Sequence, residues 1–406
     1  MEFKRKELSN GLNIIGELNP NAKSAAVGFF VKTGARDETM DINGVSHFLE
    51  HMMFKGTDRL SAFEVNEAFD RTGARFNAFT SEEATAYYAA VLPEYLAEVT
   101  GLWCELMRPS LRTDDFDIEK NVIKEEIAMY QDMPSFDVAD RCRTLYFAGH
   151  PCGHSVLGSV KSIDALTAEQ MREYFSRRYA PDNMVVTFVG NFEWEKVTGI
   201  VEEKCSGWKR GSAGRETPDY GGRQASERIE KDNLSNEHIC LVTPSVSAQD
   251  PRRFAADILA TIIGDSVGSR FFWEIVDKAL AETATMQPEE MDGTGAFYTY
   301  IRCQRENVEK VMDIVTEILR QVRSEGVTED ELRKARNKHL SAIALKNETP
   351  MGRFVDLGFN WLYLGKYRTV EADIEEIKKV TVADITALLK DLDLTKFVKL
   401  SLGPKD

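Results

Sequence analysis

Ser46–Thr57 reads SHFLEHMMFKGT, which places two of the chain's six histidines four residues apart, with Glu50 just before the second. On a helix, positions four apart share a face, so His47 and His51 become neighbours and Glu50, three after His47, lies beside them. The surroundings read as helical. Asp41-Ile-Asn-Gly44 offers capping residues at the entry, Phe48, Leu49, Met52 and Met53 form an apolar stripe, and Lys55-Gly56 supplies a basic residue and a terminating glycine. Burying three ionisable groups unpaired on such a face costs several kcal/mol, and a divalent cation removes that cost. Two neutral imidazoles at i and i+4 can ligate one zinc ion, while the carboxylate between them can accept a proton from a water. The competing reading, a surface helix with incidental histidines, fits this apolar context poorly.

Outward from this motif, 406 residues suffice for two or three domains with substantial cores. A hydrophobic content of 43% and a charged content of 29% describe a globular protein, and no apolar run approaches the ~18 residues of a membrane span, so no membrane partner is expected. The first residues, MEFKRKELSNGLNIIGELNP, alternate as a strand does and lack the apolar core of a secretory signal. Cys104, Cys142, Cys152, Cys205, Cys240 and Cys303 are scattered without a C-x-x-C pair. Reduced thiols and a cytoplasmic location follow as expectations. A net charge of −15 disfavours nucleic acid. It is either a solvated acidic surface or, if it lines a cavity, an attraction for cationic peptides.

The stretch 206–226, SGWKRGSAGRETPDYGGRQAS, has no periodicity and reads as a linker that divides the chain nearly in half. At an offset of about 214 the halves share three phrases. Thr113-Asp-Asp faces Thr328-Glu-Asp, the segment from Leu166 faces the segment from Val380, and the strand 184–189 faces 397–402. The expected fold is α+β: two similar α/β-sandwich domains related as an internal repeat, each a mixed, largely antiparallel sheet with helices on one face. Residues 1–205 form the zinc-binding domain and 227–406 a similar domain without metal. Opposite His47–His51 stands Thr261-Ile-Ile-Gly-Asp265, which keeps helix and core but no ligand set.

A catalytic zinc usually takes three protein ligands and keeps one open position. The acidic helix 114–129, DDFDIEKNVIKEEIAM, is the natural source of the third. Its apolar set Ile118, Val122 and Ile127 is expected to face a core, and Glu119, Glu125 and Glu126 are candidates. Glu119 and Glu126, seven apart, share a face; Glu125 points about 100° away, and periodicity alone does not choose between Glu125 and Glu126. The cluster Cys142, His150, Cys152 and His154 matches no common zinc spacing and is read as a structural loop.

HFLEH followed by MMFKGT, then GARFNAFTSEEATAYY (73–88), then EKNVIKEEIAMYQDMP (119–134), resembles the pitrilysin-type, inverted-motif metallopeptidases, most of all their mitochondrial-processing-peptidase-like branch. The likeness runs through the HPCGHSVLGS loop (150–159) to the strand end at Val189-Gly-Asn-Phe192. It implies a zinc metalloendopeptidase acting on peptides or unfolded segments, with one Zn²⁺ per chain, His47 and His51 as ligands and Glu50 as general base. The family's glutamate ligand lies about 76 residues after the second histidine, a count that reaches Ile127 here. Because the loop after Lys55-Gly-Thr57 is one residue shorter, the matching position is Glu126. Glu119 resembles a glutamate that orients a ligand histidine. The strand 75–87 resembles an edge onto which substrate adds, with Asn77, Ala78 and Phe79 nearest the scissile bond.

The resemblance also sets expectations about partners. Many relatives carry an arginine and, seven residues later, a tyrosine that grip the substrate; here Val276 and Thr283 stand there, and neither can replace those donors. Tyr298 and Tyr300 are read instead as a structural pair on one strand face. The family builds its chamber from four such domains, which implies a dimer, with a related subunit supplying the Arg/Tyr pair favoured over a homodimer. A metal-free assembly subunit of the same fold is the alternative from another functional class.

Overall fold

The computed structural model describes residues 1–211, 213–218 and 220–405; positions 212 and 219 of the expected linker, and position 406, lie outside the described residues. Two compact units result, and neither is a continuous stretch of chain. The first comprises Met1–Ile127, His154–Glu216 and Ala344–Arg368, the second Ala128–Gly153, Thr217–Ile343 and Thr369–Asp406.

The first unit is built on strands β1 (Glu2–Glu7), β2 (Asn13–Leu18), β3 (Ala25–Val31), β4 (Arg75–Thr80), β5 (Thr85–Val91) and β6 (Met184–Gly190), in the order β1-β2-β6-β3-β5-β4. Only β2 and β6 run parallel; the other pairs are antiparallel. Strands β3 (AAVGFFV) and β6 (MVVTFVG) are apolar almost throughout and buried at every position. Such runs mark strands covered on both faces.

One face is covered by helices α1 (Val45–Met53), α2 (Ala62–Thr72) and α3 (Leu96–Leu106), where Phe76 of β4 stacks on Phe69 of α2 at 4.0 Å between centroids. The other face is covered by a helix from the far end of the chain, Pro350–Leu364. Its start and stop are written locally: the Thr349 hydroxyl accepts from Gly352 N–H, Pro350 opens the first turn, and Gly365 closes it in the left-handed conformation. Phe354 and Leu357 bury against Ile15, Ala26, Phe30, Ala86, Val185 and Val189. Gly358 permits this approach, since a Cβ there would lie 2.1 Å from the Phe30 ring. Arg353, 1% exposed, makes a bidentate ion pair at 2.7–3.0 Å with Glu17, 0% exposed, which also accepts from Tyr367.

The second unit repeats the plan with β7 (Ala225–Glu230), β8 (Glu237–Pro244), β9 (Thr283–Glu290), β10 (Gly295–Cys303) and β11 (Val398–Gly403), in the order β7-β11-β8-β10-β9. Here β7 and β11 are the parallel pair, so β11 occupies the place of β6. After helix α4 (Thr113–Gln131), α5 (Pro134–Tyr146) joins this unit, and its Val138, Cys142 and Tyr146 bury against Cys240, Val242, Leu400 and Leu402. Each half of the chain thus contributes one helix to the sheet of the other. Tyr298 and Tyr300 pack partly buried on that same face, Tyr298 under Arg143 and Tyr300 hydrogen-bonded to His238 at 2.8 Å.

Removing one member of a buried ion pair leaves an uncompensated charge, so Arg353→Met should lower unfolding free energy by about 3–5 kcal/mol. Adding Glu17→Leu to that variant should restore much of the loss. Urea denaturation of the two variants measures both.

Candidate metal centre

The helix that carries the two histidines is capped by a residue that local pattern reading misses. Instead of a side chain from Asp41–Gly44, the carboxylate of Glu38 accepts from Asn43 Nδ2 at 2.8 Å, from Gly44 N–H at 2.7 Å and from Ser46 N–H at 2.7 Å. Asp41 is exposed, and Gly44 sits at the N-cap with φ 96°, with no side-chain cap of its own. Glu38 lies six residues before the cap, outside the window in which capping patterns are sought. Burial pushes its carboxyl up to about 7, against the lowering effect of these hydrogen bonds.

Helix α1 buries Val45, Ser46, His47, Phe48, Leu49, Met52 and Met53 and leaves Glu50 and His51 half-buried at its edge. Phe48 stacks on Phe116 of α4 at 4.6 Å, which docks the two helices. The inward residues of α4 are Phe116, Glu119, Ile123 and Ile127. Ile118 and Val122, expected to face a core, are instead 66% and 43% exposed. The inward face is the one that carries Glu119, because that carboxylate is paired there and its cost of burial is met.

Glu126, rather than the exposed Glu125, reaches the imidazoles. Its Oε2 lies 3.6 Å from His47 Nε2 and 3.3 Å from His51 Nε2, and the three potential ligand atoms fall within 4.8 Å of one another. A tetrahedral zinc shell with bonds of about 2.0–2.1 Å has edges of about 3.3–3.4 Å, near the two Glu126–histidine separations, and two imidazoles with a carboxylate are donors that zinc takes. Glu119 Oε1 lies 2.9 Å from His51 Nδ1. That bond places the His51 proton on Nδ1 and turns the Nε2 lone pair toward His47 and Glu126. Lys55 Nζ stands 2.5 Å from Glu119 Oε2 and balances the buried carboxylate.

The ionisable groups gathered here shift one another strongly. Burial, and then the neighbouring His51, pull His47 down to about 4, leaving a neutral imidazole. At His51 burial acts the same way, but Glu119, Glu126 and Glu50 together outweigh it and hold the ring up at about 9. Glu126 is lowered by its bond to His51, while Glu119 is lowered by His51 and Lys55 in spite of burial. Glu50 is raised by burial, partly offset by the hydroxyl of Thr80, which donates to its Oε2 at 2.5 Å.

Strand β4 forms an edge of its sheet and packs beside α1. Asn77 is exposed at its middle, and its Oδ1 accepts from Ala78 N–H at 2.9 Å. This marks the Ala78 amide as directed away from β5. Ala78 is buried, and Phe79 packs on the opposite face against Tyr88 and Phe359. No sequence motif singles out Thr80, though alternation puts it on the face of Ala78. Among the other singled-out residues, Cys142 Sγ points to Cys240 O, His150 Nε2 to Pro218 O and His154 Nδ1 to Ala35 O. Val276 lies in a π-helical turn, Phe272–Val276, packed against the second unit's core, and Thr283 opens β9.

An α+β repeat carrying an H-x-x-E-H helix and a glutamate from a later helix defines a class of metallopeptidase-like proteins. Comparison with known proteins assigns the family: residues 13–160 match the model of the Insulinase family (Peptidase family M16), and 165–338 match the Peptidase M16 inactive domain. The chain belongs to this pitrilysin-type M16 family. It is 30% identical to the uncharacterized zinc protease YmxG of Bacillus subtilis over 99% of this chain and 98% of that one. An uncharacterized zinc protease of Streptomyces coelicolor is 33% identical over 96% and 87% of the two chains. Among solved structures, a protease from Helicobacter pylori shares the fold with a TM-score of 0.90 at 22% identity, covering 99% of this chain and 100% of that one. A peptidase M16 inactive domain from Pseudomonas fluorescens does so with a TM-score of 0.92 at 18% identity, covering 100% and 98%.

The Glu38 carboxyl, raised in the fold from 4.5 to about 7, binds its proton more tightly folded than unfolded. Its neutral form favours folding fully below pH 4.5, and that contribution is lost as pH rises through 7. Relative to Glu38→Gln, the wild-type protein should therefore lose about 3 kcal/mol of stability between pH 4.5 and 7.5. Urea unfolding of both proteins across that interval measures the difference.

Proposed function

We propose that this chain is a zinc-dependent metalloendopeptidase that hydrolyses peptides or unfolded segments bound as an added strand along β4. The observation that carries the reading is the convergence of His47 Nε2, His51 Nε2 and Glu126 Oε2 on one locus, with Glu50 on the same helix. Zinc held by these three side chains would supply a Lewis acid that polarises the scissile carbonyl and lowers the pKa of water. Glu50 would then accept the proton of the attacking water and return it to the leaving amine, and burial raises its proton affinity in the direction that role requires. Glu119 and Lys55 keep His51 in the tautomer whose Nε2 is free to ligate. Along β4 the substrate would take the outward main-chain groups, displacing the Asn77 side chain from the Ala78 amide, with Phe79 behind the strand. A metal-free assembly subunit would be expected to lose part of this donor set, which is complete here.

The reading extends to partners and compartment. With Val276 and Thr283 at the positions of the family's arginine and tyrosine, we infer a dimer with a related subunit that supplies the pair, and a homodimer as the second choice. Among the described residues no helix is long and apolar enough to cross a membrane, and the six cysteines are buried with no disulfide between them; a cytoplasmic setting is the proposal that fits reduced thiols.

Glu50→Gln should keep one zinc per chain while cleavage of a quenched peptide library falls by about 10²- to 10⁴-fold. Glu126→Gln should lose zinc and Glu125→Gln retain it, as read by metal analysis; the reverse pattern would remove Glu126 from the ligand set. Purified alone, the chain should cleave peptides poorly until a co-purifying partner from the native source is added. Vigorous turnover by the lone chain would sink the hetero-dimer.

A further inference from the structure

We propose that Thr80 is a positioning residue that orients Glu50 and ties the general base to the strand on which substrate would lie. The inference rests on the reading of Glu50 as base. Among the described residues the Thr80 hydroxyl is the hydrogen-bond donor to the Glu50 carboxylate, Oγ1 to Oε2 at 2.5 Å. A glutamate has three side-chain torsions, and one anchored oxygen leaves the other aimed in a defined direction.

The anchor itself is rigid. Thr80 ends β4 opposite Thr85, which is 0% exposed and donates to Thr33 O at 3.0 Å. The next residue closes the hairpin through Ser81 N–H to Ala84 O at 2.8 Å. A β-branched residue in a strand has few χ1 choices, so a fixed backbone fixes the hydroxyl. Thr80 stands two residues beyond Ala78 on the same strand face, and β4 offers its free side to an added strand. Displacement of this strand would therefore displace the base with it. The geometry assigns to Thr80 the task of keeping the bound main chain and the carboxylate in register.

Thr80→Val retains size and β-branching and removes only the donor. On the zinc-loaded protein, kcat should fall by about 10- to 100-fold, with KM within about twofold and zinc content unchanged. Thr80→Ser should recover most of the loss. A second measurement does not depend on turnover: Thr80→Val should shift the urea midpoint in the wild-type background and leave it unmoved in Glu50→Leu. Wild-type kcat in Thr80→Val, or equal midpoint shifts in the two backgrounds, would overturn the proposal. If the wild-type protein cleaves no peptide, the peptidase reading fails, and the paired unfolding experiment still decides whether Thr80 holds Glu50.

Discussion

Five ionisable side chains, His47, Glu50, His51, Glu119 and Glu126, are packed where α1 meets α4, and the cost of removing them from water is the constraint around which this region is organised. Each is tolerated because it meets a polar partner. Glu119 bridges His51 and Lys55, Glu126 meets both imidazoles, and Glu50 takes the hydroxyl of Thr80. Helix α1 is held at its entry by Glu38 and at its exit through Lys55 and Glu119. Its position is thus set by polar contacts as much as by the apolar stripe on its inner side.

The second unit shows the same scaffold relieved of that constraint. At the positions opposite the two histidines, Thr261 Oγ1 pairs with His339 Nε2 at 2.8 Å and Asp265 forms an ion pair with Lys338. Both partners lie on the helix Glu329–Asn347, which corresponds to α4 in the repeat. Protein groups satisfy each other there, and no cluster of three ligand types remains among the described residues. One fold accommodates both solutions because sheet order and helix placement are set by the apolar pattern, which the halves share.

The exchange of helices gives each sheet a covering that its own half of the chain does not provide. The helix Pro350–Leu364 closes the back of the first sheet with Phe354 and Leu357, and α5 does the same for the second with Val138 and Cys142. The buried Glu17–Arg353 pair fixes where the first of these helices seats. Apolar faces accept many registers, whereas a bidentate ion pair at 1% and 0% exposure accepts one.

Much of this was legible in the chain itself. Four-residue spacing places His47 and His51 on one face, and the near-constant offset between the halves declares two units of one design, because both signals depend only on local periodicity. Periodicity leaves Glu125 and Glu126 open and the family resemblance points to Glu126, which the fold brings to the imidazoles; the outward turn of Ile118 and Val122, the capping by Glu38 and the grip of Thr80 on Glu50 were decided by tertiary structure alone. Periodicity gives angles between neighbours on a helix, not which angle faces inward. Where two faces both carry apolar and acidic residues, the paired partner brought by another element determines which is buried. The crossing of one helix from each half is equally silent in sequence, since an amphipathic helix specifies an apolar partner and not which of two similar sheets provides it.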